Sequence, residues 1–282
     1  MTKTERKRQK KKSLLFKLIR LLLMLAVIYL VLLIVIKLNH QTTHDNLPAG
    51  TDNADLTARL TACADENRDY KPLLDHPENY PEELLELAAK NPEALQFVLD
   101  YPGKKDELAA ETIEELEKGV IPHLFQWDER WGYSLYGEHT LAVSGCGPTC
   151  LAMVASGLTG DDTLTPAVAA DWSERHGHYV SGSGSSWSLM TEGAEHFDLT
   201  ATELPLDEST MKKALEAGKP IILSVREGDF TTSGHFIVLS GVEEGRFRVY
   251  DPNSQTLSDR LWDYETLAPQ IRNLWCFEAG DP

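Results

Sequence analysis

The pattern of hydrophobic and polar residues divides the chain into three regions. An unbroken apolar run, LLLMLAVIYLVLLIVI, covers residues 21–36 and is bracketed by Arg20 and Lys37. Residues 54–118 carry apolar side chains at helical spacing between charged ones. From Val120 onward the chain contains short β-like runs, among them GKPIILSV, HFIVLSG, RFRVYD and NLWCFEA. We expect a membrane segment, a helical region and an α+β domain, in that order.

The first apolar run predicts a transmembrane anchor over residues 21–38. The flanking cations can snorkel, so the span approaches the ~17–25 residues that cross a bilayer. A cleaved signal peptide is the alternative, but the run exceeds the usual apolar core of ~7–15 residues, and no small-x-small site follows. Ten Lys or Arg against one acid in residues 1–38 predict, by the positive-inside rule, that residues 1–20 form a basic cytoplasmic tail. The rest of the chain is then expected outside the cell.

Charge excludes one class of partner. The chain has 27 basic and 44 acidic residues, and residues 1–38 contain ten of the basic residues and one of the acidic residues. The remainder of the chain therefore has 17 basic and 43 acidic residues. A body with this excess of acid would repel a polyanion, so nucleic acid is not an expected partner.

A linker and a helical region are predicted after the anchor. Residues 39–53 are polar and aperiodic, and residues 54–118 read as helices. Two of these are PEELLELAAK and PEALQFVLD, the second with Asn91 as N-cap. A third is expected over residues 106–118, ending at Gly119 in a left-handed conformation. Nothing here suggests chemistry, so the region is interpreted as a packed subdomain or a spacer, with a regulatory pro-region as the alternative.

The segment SGCGPTCLAMVASGLTG carries the strongest candidate for chemistry. Its apolar residues have helical spacing, and Pro148 is tolerated only in the first turn, so the helix should begin at or near Cys146. It should end at Gly157 or Gly160. A thiol at a helix N-terminus faces the positive end of the macrodipole, which favours the thiolate. Cys146 is therefore the predicted nucleophile.

The remaining cysteines and the neighbouring glycines receive structural interpretations. Four cysteines are too few for a disulfide framework. Glycines on both sides of the nucleophile, Gly145 and Gly147, should let a substrate carbonyl approach closely. Three cysteines are interpreted as buried small hydrophobic residues: Cys63, Cys150 and Cys276.

Among nine histidines, His235 is the predicted general base because it stands at the start of a buried strand. The connection Val-Glu-Glu-Gly should form a hairpin centred on Glu243, with positive φ at Gly245. That register places Asp251 directly opposite His235, with Cβ atoms about 4.5–5.5 Å apart, so the carboxylate can orient the imidazole. Asn253 is the alternative orienting residue. The same register pairs Leu239 with Phe247 and Ile237 with Val249.

An oxyanion donor completes the expected site. Gln126 ends the strand-like piece IPHLFQ, and its side-chain N–H and the backbone N–H of Cys146 are predicted to hold the negative oxygen of a tetrahedral intermediate. The pair His176 and His178 lacks partners at metal-ligand spacing, so no metal or cofactor is expected. The run SGSGSS at 181–186 is interpreted as a flexible or substrate-bordering loop.

Taken in order, five segments resemble the C39-like (bacteriocin-processing-peptidase-like) branch of the papain-like cysteine peptidases: IPHLFQWDERWGYSLYG, GCGPTCLAMVASGLTG, SGSGSSW, GKPIILSVREGDFTTSGHFIVLSG and VYDPNS. The resemblance implies an α+β, papain-like fold, in which an N-terminal helix carries the cysteine and an antiparallel sheet carries the histidine and aspartate. It also implies that Cys146 attacks, His235 acts as base, Asp251 orients His235, and Gln126 helps form the oxyanion hole.

Two features depart from the transporter-linked members of that family. Their glutamine lies close before the cysteine, whereas twenty positions separate Gln126 from Cys146. No ATP-binding module or multi-span membrane domain follows in this sequence, so leader-peptide processing coupled to export is not carried over.

The sequence thus predicts a single-pass membrane protein whose residues 119–282 form an extracytoplasmic cysteine peptidase domain. Expected partners are a peptide or peptidoglycan-peptide substrate and the lipid bilayer around residues 21–38. Two alternatives stay open: a cell-wall peptidoglycan amidase or endopeptidase with the same chemistry, and a non-catalytic peptide-binding module on the same scaffold. The sequence gives no indication of oligomeric state.

Overall fold

The computed structural model describes residues 51–280. The predicted tail, the predicted anchor and most of the predicted linker lie outside the described residues. No helix between residues 51 and 280 is long and apolar enough to cross a bilayer. The chain divides into two units between Thr57 and Ala58, within helix α1 (Thr51–Glu66).

The helical region before residue 119 is partly as predicted. PEELLELAAK and PEALQFVLD are confirmed as helices, and the Asn91 side chain accepts a hydrogen bond from the Glu93 N–H (3.0 Å). Asn91 caps a 3-10 turn that leads into the second of these helices. Helix α1 starts three residues before the predicted residue 54. The further α-helices are α2 (Lys71–Asp75), α3 (Glu82–Lys90) and α4 (Leu95–Lys104), with 3-10 turns at Arg68–Tyr70, Pro77–Asn79 and Pro92–Ala94.

The third predicted helix, over residues 106–118, is wrong, because this segment forms turns. Its backbone bonds to the rest of the domain instead of to itself: the Ile113 N–H donates to the Asp162 carbonyl (2.8 Å), and the Ile113 side chain is buried in the core. Gly119 does have positive φ (90°), but it lies within a turn, and its N–H donates to the Gly157 carbonyl (2.8 Å). Tertiary hydrogen bonds have replaced the helical ladder here.

Helix α6 (Cys146–Thr159) is the central helix of the following domain. It begins at Cys146, as predicted, and ends at Gly160, one of the two glycines predicted to end it; the φ of 78° at Gly160 forms a left-handed cap. Every residue from Gly147 to Gly157 is buried. The other helices of the domain are α5 (Leu141–Ser144), α7 (Pro166–Arg175), α8 (Ala194–His196), α9 (Glu208–Glu216), α10 (Gln255–Ser258) and α11 (Tyr264–Leu267), with a π turn at Leu189–Gly193 and a 3-10 turn at Ala268–Gln270.

A six-stranded antiparallel sheet packs against this helix. Its strand order is β5-β10-β6-β7-β8-β9. Two small hairpins, β1–β2 and β3–β4, lie outside it. The strands are β1 (Leu135–Tyr136), β2 (His139–Thr140), β3 (Tyr179–Val180), β4 (Gly184–Ser185), β5 (Leu199–Glu203), β6 (Ile221–Arg226), β7 (Gly234–Glu243), β8 (Arg246–Tyr250), β9 (Leu261–Trp262) and β10 (Ile271–Ala279).

The two faces of the sheet bury two hydrophobic clusters. In β7, Phe236 and Val238 join the cluster of helix α6, whereas Ile237 and Leu239 join the cluster of helix α9. Successive side chains of a strand point to opposite faces, so this alternation is the one a sheet covered on both sides requires. The predicted mixed fold, with a cysteine-bearing helix on an antiparallel sheet, is confirmed.

Candidate active site

The two cysteines of helix α6 lie in different surroundings. Cys146 is the first residue of the helix, is half-buried, and lines a cleft of about 960 Å³. Cys150, one turn later, is fully buried, as predicted, and burial raises the pKa of its thiol well above the usual value. Cys276 is also buried, but Cys63 is only partly so, contrary to the prediction. Cys146 is therefore the cysteine of this helix that a substrate in the cleft can reach.

The glycines flanking Cys146 serve packing rather than substrate access. A Cβ on Gly147 would lie 2.5 Å from Ser185 Oγ, and a Cβ on Gly145 would overlap the Leu141 carbonyl oxygen. Both positions are filled by protein, so the predicted open approach for a carbonyl is wrong. Glycine at 147 instead lets helix α6 pack closely against strand β4.

His235, the second residue of β7, is bonded to a buried carboxylate. Its Nε2–H donates to Asp251 Oδ1 over 2.7 Å, and both side chains are buried. Burial by itself lowers the pKa of His235, but the charge of Asp251, negative charge on the Cys146 sulfur and hydrogen bonds to both raise it to about 10. Because Nε2 is engaged by Asp251, Nδ1 is the ring nitrogen left for the thiol. The arrangement favours an imidazolium next to Cys146 at neutral pH.

The predicted strand register is wrong, although the predicted contact exists. Glu243 pairs with Arg246 across a two-residue turn, and Leu239 pairs with Val249 after a bulge between Leu239 and Gly241. Positive φ at Glu244 (52°) and Gly245 (77°) defines this tight turn. Continued beyond β8, the observed register would place residue 253 opposite His235. Asp251 thus reaches the imidazole diagonally, after the end of the strand, and the imidazole's bonded partner is Asp251 rather than Asn253.

Asp251 is itself held by several hydrogen bonds. Its N–H donates to Ser258 Oγ (2.8 Å), and its Oδ1 also accepts from the Asn253 N–H (2.8 Å). The Asp251 carbonyl accepts from His123 Nε2 (2.9 Å), and the His123 ring stacks on Tyr250. Sequence reasoning does not single out His123. The available signal is its position, three residues before Gln126 in an apolar segment that leads to the site.

Gln126 lines the same cleft as Cys146 and His235. Its side chain is buried, and one Nε2–H donates to the Ala142 carbonyl (2.7 Å), which leaves the second N–H for another acceptor. The segment IPHLFQ is not a strand, contrary to the prediction. It is held at its end by the Gln126 N–H, which donates to the Pro252 carbonyl beside Asp251 (2.8 Å).

The cleft is bordered by two loops and by the helical region. The predicted substrate-bordering run SGSGSS lies largely in the β3–β4 hairpin, and residues 182–185 line the cleft. Residues 228–236 line it from the other side, and Lys90 and Asn91 contribute from the helical region. Trp187, which is 47% exposed, adds an aromatic surface.

Within the described residues, no group of three or more His, Cys, Asp or Glu side chains is arranged to hold a metal ion. The predicted nucleophile, base and oxyanion donor line one cleft, and the carboxylate lies behind the base. These are the kinds of group that nucleophilic catalysis by a cysteine uses.

Comparison with known proteins agrees with a site built around a cysteine nucleophile. The sequence model of the Peptidase_C39 like family matches residues 119–276, and the chain belongs to that family. The family predicted from the motifs is thus confirmed, and membership indicates cysteine peptidase activity. No curated protein matches the chain.

Two solved peptidase structures are among those similar to this chain. The peptidase domain of Streptococcus ComA, a bi-functional ABC transporter involved in a quorum sensing pathway, is 20% identical, with a TM-score of 0.40, over 49% of this chain and 93% of that one. A protein described as a C39-like peptidase from Bacillus anthracis is 13% identical, with a TM-score of 0.39, over 60% of this chain and 100% of that one.

Proposed function

We propose that this chain is a membrane-anchored cysteine peptidase that hydrolyses peptide bonds outside the cell. The observation that carries the proposal is the buried His235–Asp251 hydrogen bond of 2.7 Å next to Cys146 in an open cleft. Membership in the Peptidase_C39 like family supports the same chemistry. The apolar run 21–36 and the basic residues before it support the anchor and its orientation.

The mechanism is acyl transfer through a thioester. His235 accepts the proton of Cys146, and the sulfur attacks the carbonyl carbon of the substrate. The oxyanion accepts hydrogen bonds from the free N–H of Gln126 and from the backbone N–H of Cys146. The C–N bond then breaks as His235 returns its proton to the leaving amine. A water, deprotonated by His235, attacks the thioester, the C–S bond breaks, and the acid is released; the proton stays on His235, which restores the thiolate and the imidazolium.

Asp251 supports both halves of this cycle without giving up a proton. It accepts the Nε2–H of His235, fixes the tautomer, and presents Nδ1 to the sulfur. The raised pKa of His235, about 10, keeps the imidazole protonated at neutral pH, which stabilises a neighbouring thiolate. The resting form proposed here is therefore a thiolate–imidazolium pair.

The test is alkylation of the full-length chain, in detergent, with iodoacetamide between pH 4 and 9, followed by peptide mapping of each cysteine. We expect Cys146 to react fast well below pH 8 and His235→Ala to remove this reactivity. Cys63, which is also half-buried, serves as the internal reference thiol. If Cys146 reacts no faster than Cys63, or if His235→Ala changes nothing, the catalytic proposal fails and a peptide-binding module becomes the better explanation.

The bond that is cleaved can be identified once reactivity is established. Incubation with a peptide library and, separately, with peptidoglycan fragments distinguishes a peptidase from a cell-wall amidase or endopeptidase, because mass spectrometry reads the new termini. We expect cleavage in the peptide library. Products from peptidoglycan alone would replace the peptidase proposal with the cell-wall enzyme.

A further inference from the structure

The segment that joins helices α3 and α4 contacts the turn that follows Asp251. Asn91 is buried, and its Nδ2 donates to the Asn253 carbonyl (2.6 Å) and approaches Asn253 Oδ1 (3.3 Å). Its own Oδ1 is occupied by the Glu93 N–H (3.0 Å), which fixes the orientation of the amide. These contacts join residues 162 positions apart in sequence.

Glu93 holds the same turn through its carboxylate. One oxygen accepts from Ser254 Oγ (3.1 Å) and the Thr256 N–H (3.1 Å), and the other accepts from the Gln255 N–H (2.6 Å). Partial burial raises the pKa of Glu93, but hydrogen bonds from these three residues outweigh it and bring the pKa below the usual value. The ionised carboxylate is therefore the form that the turn binds.

This turn is directly connected to the base. The Asn253 N–H donates to Asp251 Oδ1 (2.8 Å), the same oxygen that accepts the Nε2–H of His235. Asn91 thus bonds the carbonyl of the residue whose N–H orients the Asp251 carboxylate. Trp127 Nε1 bonds that carbonyl as well (2.9 Å). A displacement of residues 253–256 would move the Asn253 N–H and change the direction in which the carboxylate faces His235.

We propose that Asn91 and Glu93 are positioning residues for Asp251, so that the segment joining helices α3 and α4 is part of the catalytic unit rather than a spacer. The proposal rests on the proposed function, because it assigns these residues to the same His235–Asp251 pair. Lys90 and Asn91 also line the cleft, so the same segment forms part of the surface that a substrate meets.

The experiment compares iodoacetamide alkylation of Cys146 in full-length variants at pH 6–7. Glu93→Gln keeps the size of the side chain but removes the charge and one acceptor oxygen. We expect the alkylation rate to fall about tenfold, because a hydrogen bond to a charged group changes an equilibrium constant by roughly a factor of ten. Glu82→Gln is the matched control, because Glu82 is exposed on helix α3 and makes the same charge change; its rate should equal wild type.

A double-mutant cycle separates positioning from general stability. In an Asp251→Asn background, Glu93→Gln should change the rate less than about twofold, because the residue it acts through is already impaired. An equal fall in both backgrounds, or no fall in the wild-type background, overturns the proposal. If Glu93→Gln does not fold, Asn91→Ala gives the same comparison. The failure of the proposed function looks different, since Cys146 of the wild-type chain would then react no faster than Cys63.

Discussion

The start of helix α6 and the turn after strand β8 supply the proposed nucleophile and the orienting carboxylate, and they are built in different ways. At the start of α6, residues close in sequence define where the helix begins: Gly145 is the N-cap, and Pro148 lies in the first turn. The turn after β8 is held by side chains from distant segments, among them His123, Trp127, Asn91 and Glu93.

The difference shows where each half of the site is vulnerable. A substitution near Cys146 acts on the helix that contains it, whereas the direction of the Asp251 carboxylate depends on residues more than 120 positions away. Sites on helices are held more precisely than sites on loops. A turn without a regular hydrogen-bond ladder needs partners from outside, and the protein supplies them from the helical region and the segment before the cleft.

The largest expected effect lies on the turn. Asp251→Asn keeps the shape of the carboxylate but removes its charge, so we expect peptide hydrolysis to fall by about 10²-fold or more, the scale of general acid–base catalysis. Steady-state kinetics on a peptide identified from the library measures it. If Asp251→Asn keeps the wild-type kcat/KM, the His235–Asp251 pair plays no part in the reaction.

The same variant tests the pH dependence. In the folded chain the pKa of His235 is about 10, against 6.5 as its ordinary value. Protonation of His235 therefore stabilises the fold fully below pH 6.5, and this contribution is lost as the pH rises through about 10. We expect the free energy of unfolding, measured in urea, to decline over this window in the wild type and to decline less in Asp251→Asn. A parallel decline in both would contradict the assignment, and ¹⁵N spectra of the histidine rings can follow His235 directly.

A second effect separates the oxyanion donor from the nucleophile. Gln126→Ala removes the side-chain N–H offered to the oxyanion, so we expect kcat to fall by about 10²-fold. Alkylation of Cys146 by iodoacetamide passes through no oxyanion, so its rate should stay within about twofold of wild type. If alkylation falls as much as hydrolysis, Gln126 acts on the thiol or on the fold, and its assignment as oxyanion donor is wrong.

The smallest effect concerns the packing of helix α6. Gly147→Ala places a methyl group 2.5 Å from Ser185 Oγ, which bonds the Tyr136 hydroxyl. Crowding in a filled site costs typically 1–3 kcal/mol, so we expect about that loss of stability in urea unfolding. Gly241→Ala is the control, because a Cβ there meets nothing within 4 Å and the residue has ordinary φ. If the two variants are equally stable, strand β4 shifts to accommodate the methyl group at little cost in free energy.

The elements that follow from local pattern were predictable. The start of α6 at Cys146, its end at Gly160, the burial of Cys150 and the positive φ of Gly245 depend on residue types and short spacings. The register of β7 and β8 was predicted wrongly because the turn is centred on Glu244 and Gly245 rather than on Glu243, and a bulge between Leu239 and Gly241 shifts the pairing by one residue. The helix predicted over 106–118 is absent for another reason: the backbone of this segment bonds to residues distant in the sequence.

By itself the sequence determined the family, the mixed helix-and-sheet fold and the choice of Cys146, His235, Asp251 and Gln126 as candidates, because these depend on residue identity and order. Only the tertiary structure decided that Asp251 meets His235 diagonally, that His123 supports it, and that the turn beyond it is held by Asn91 and Glu93. Such contacts join segments far apart in the chain. Their geometry depends on how whole elements pack, which no local spacing specifies.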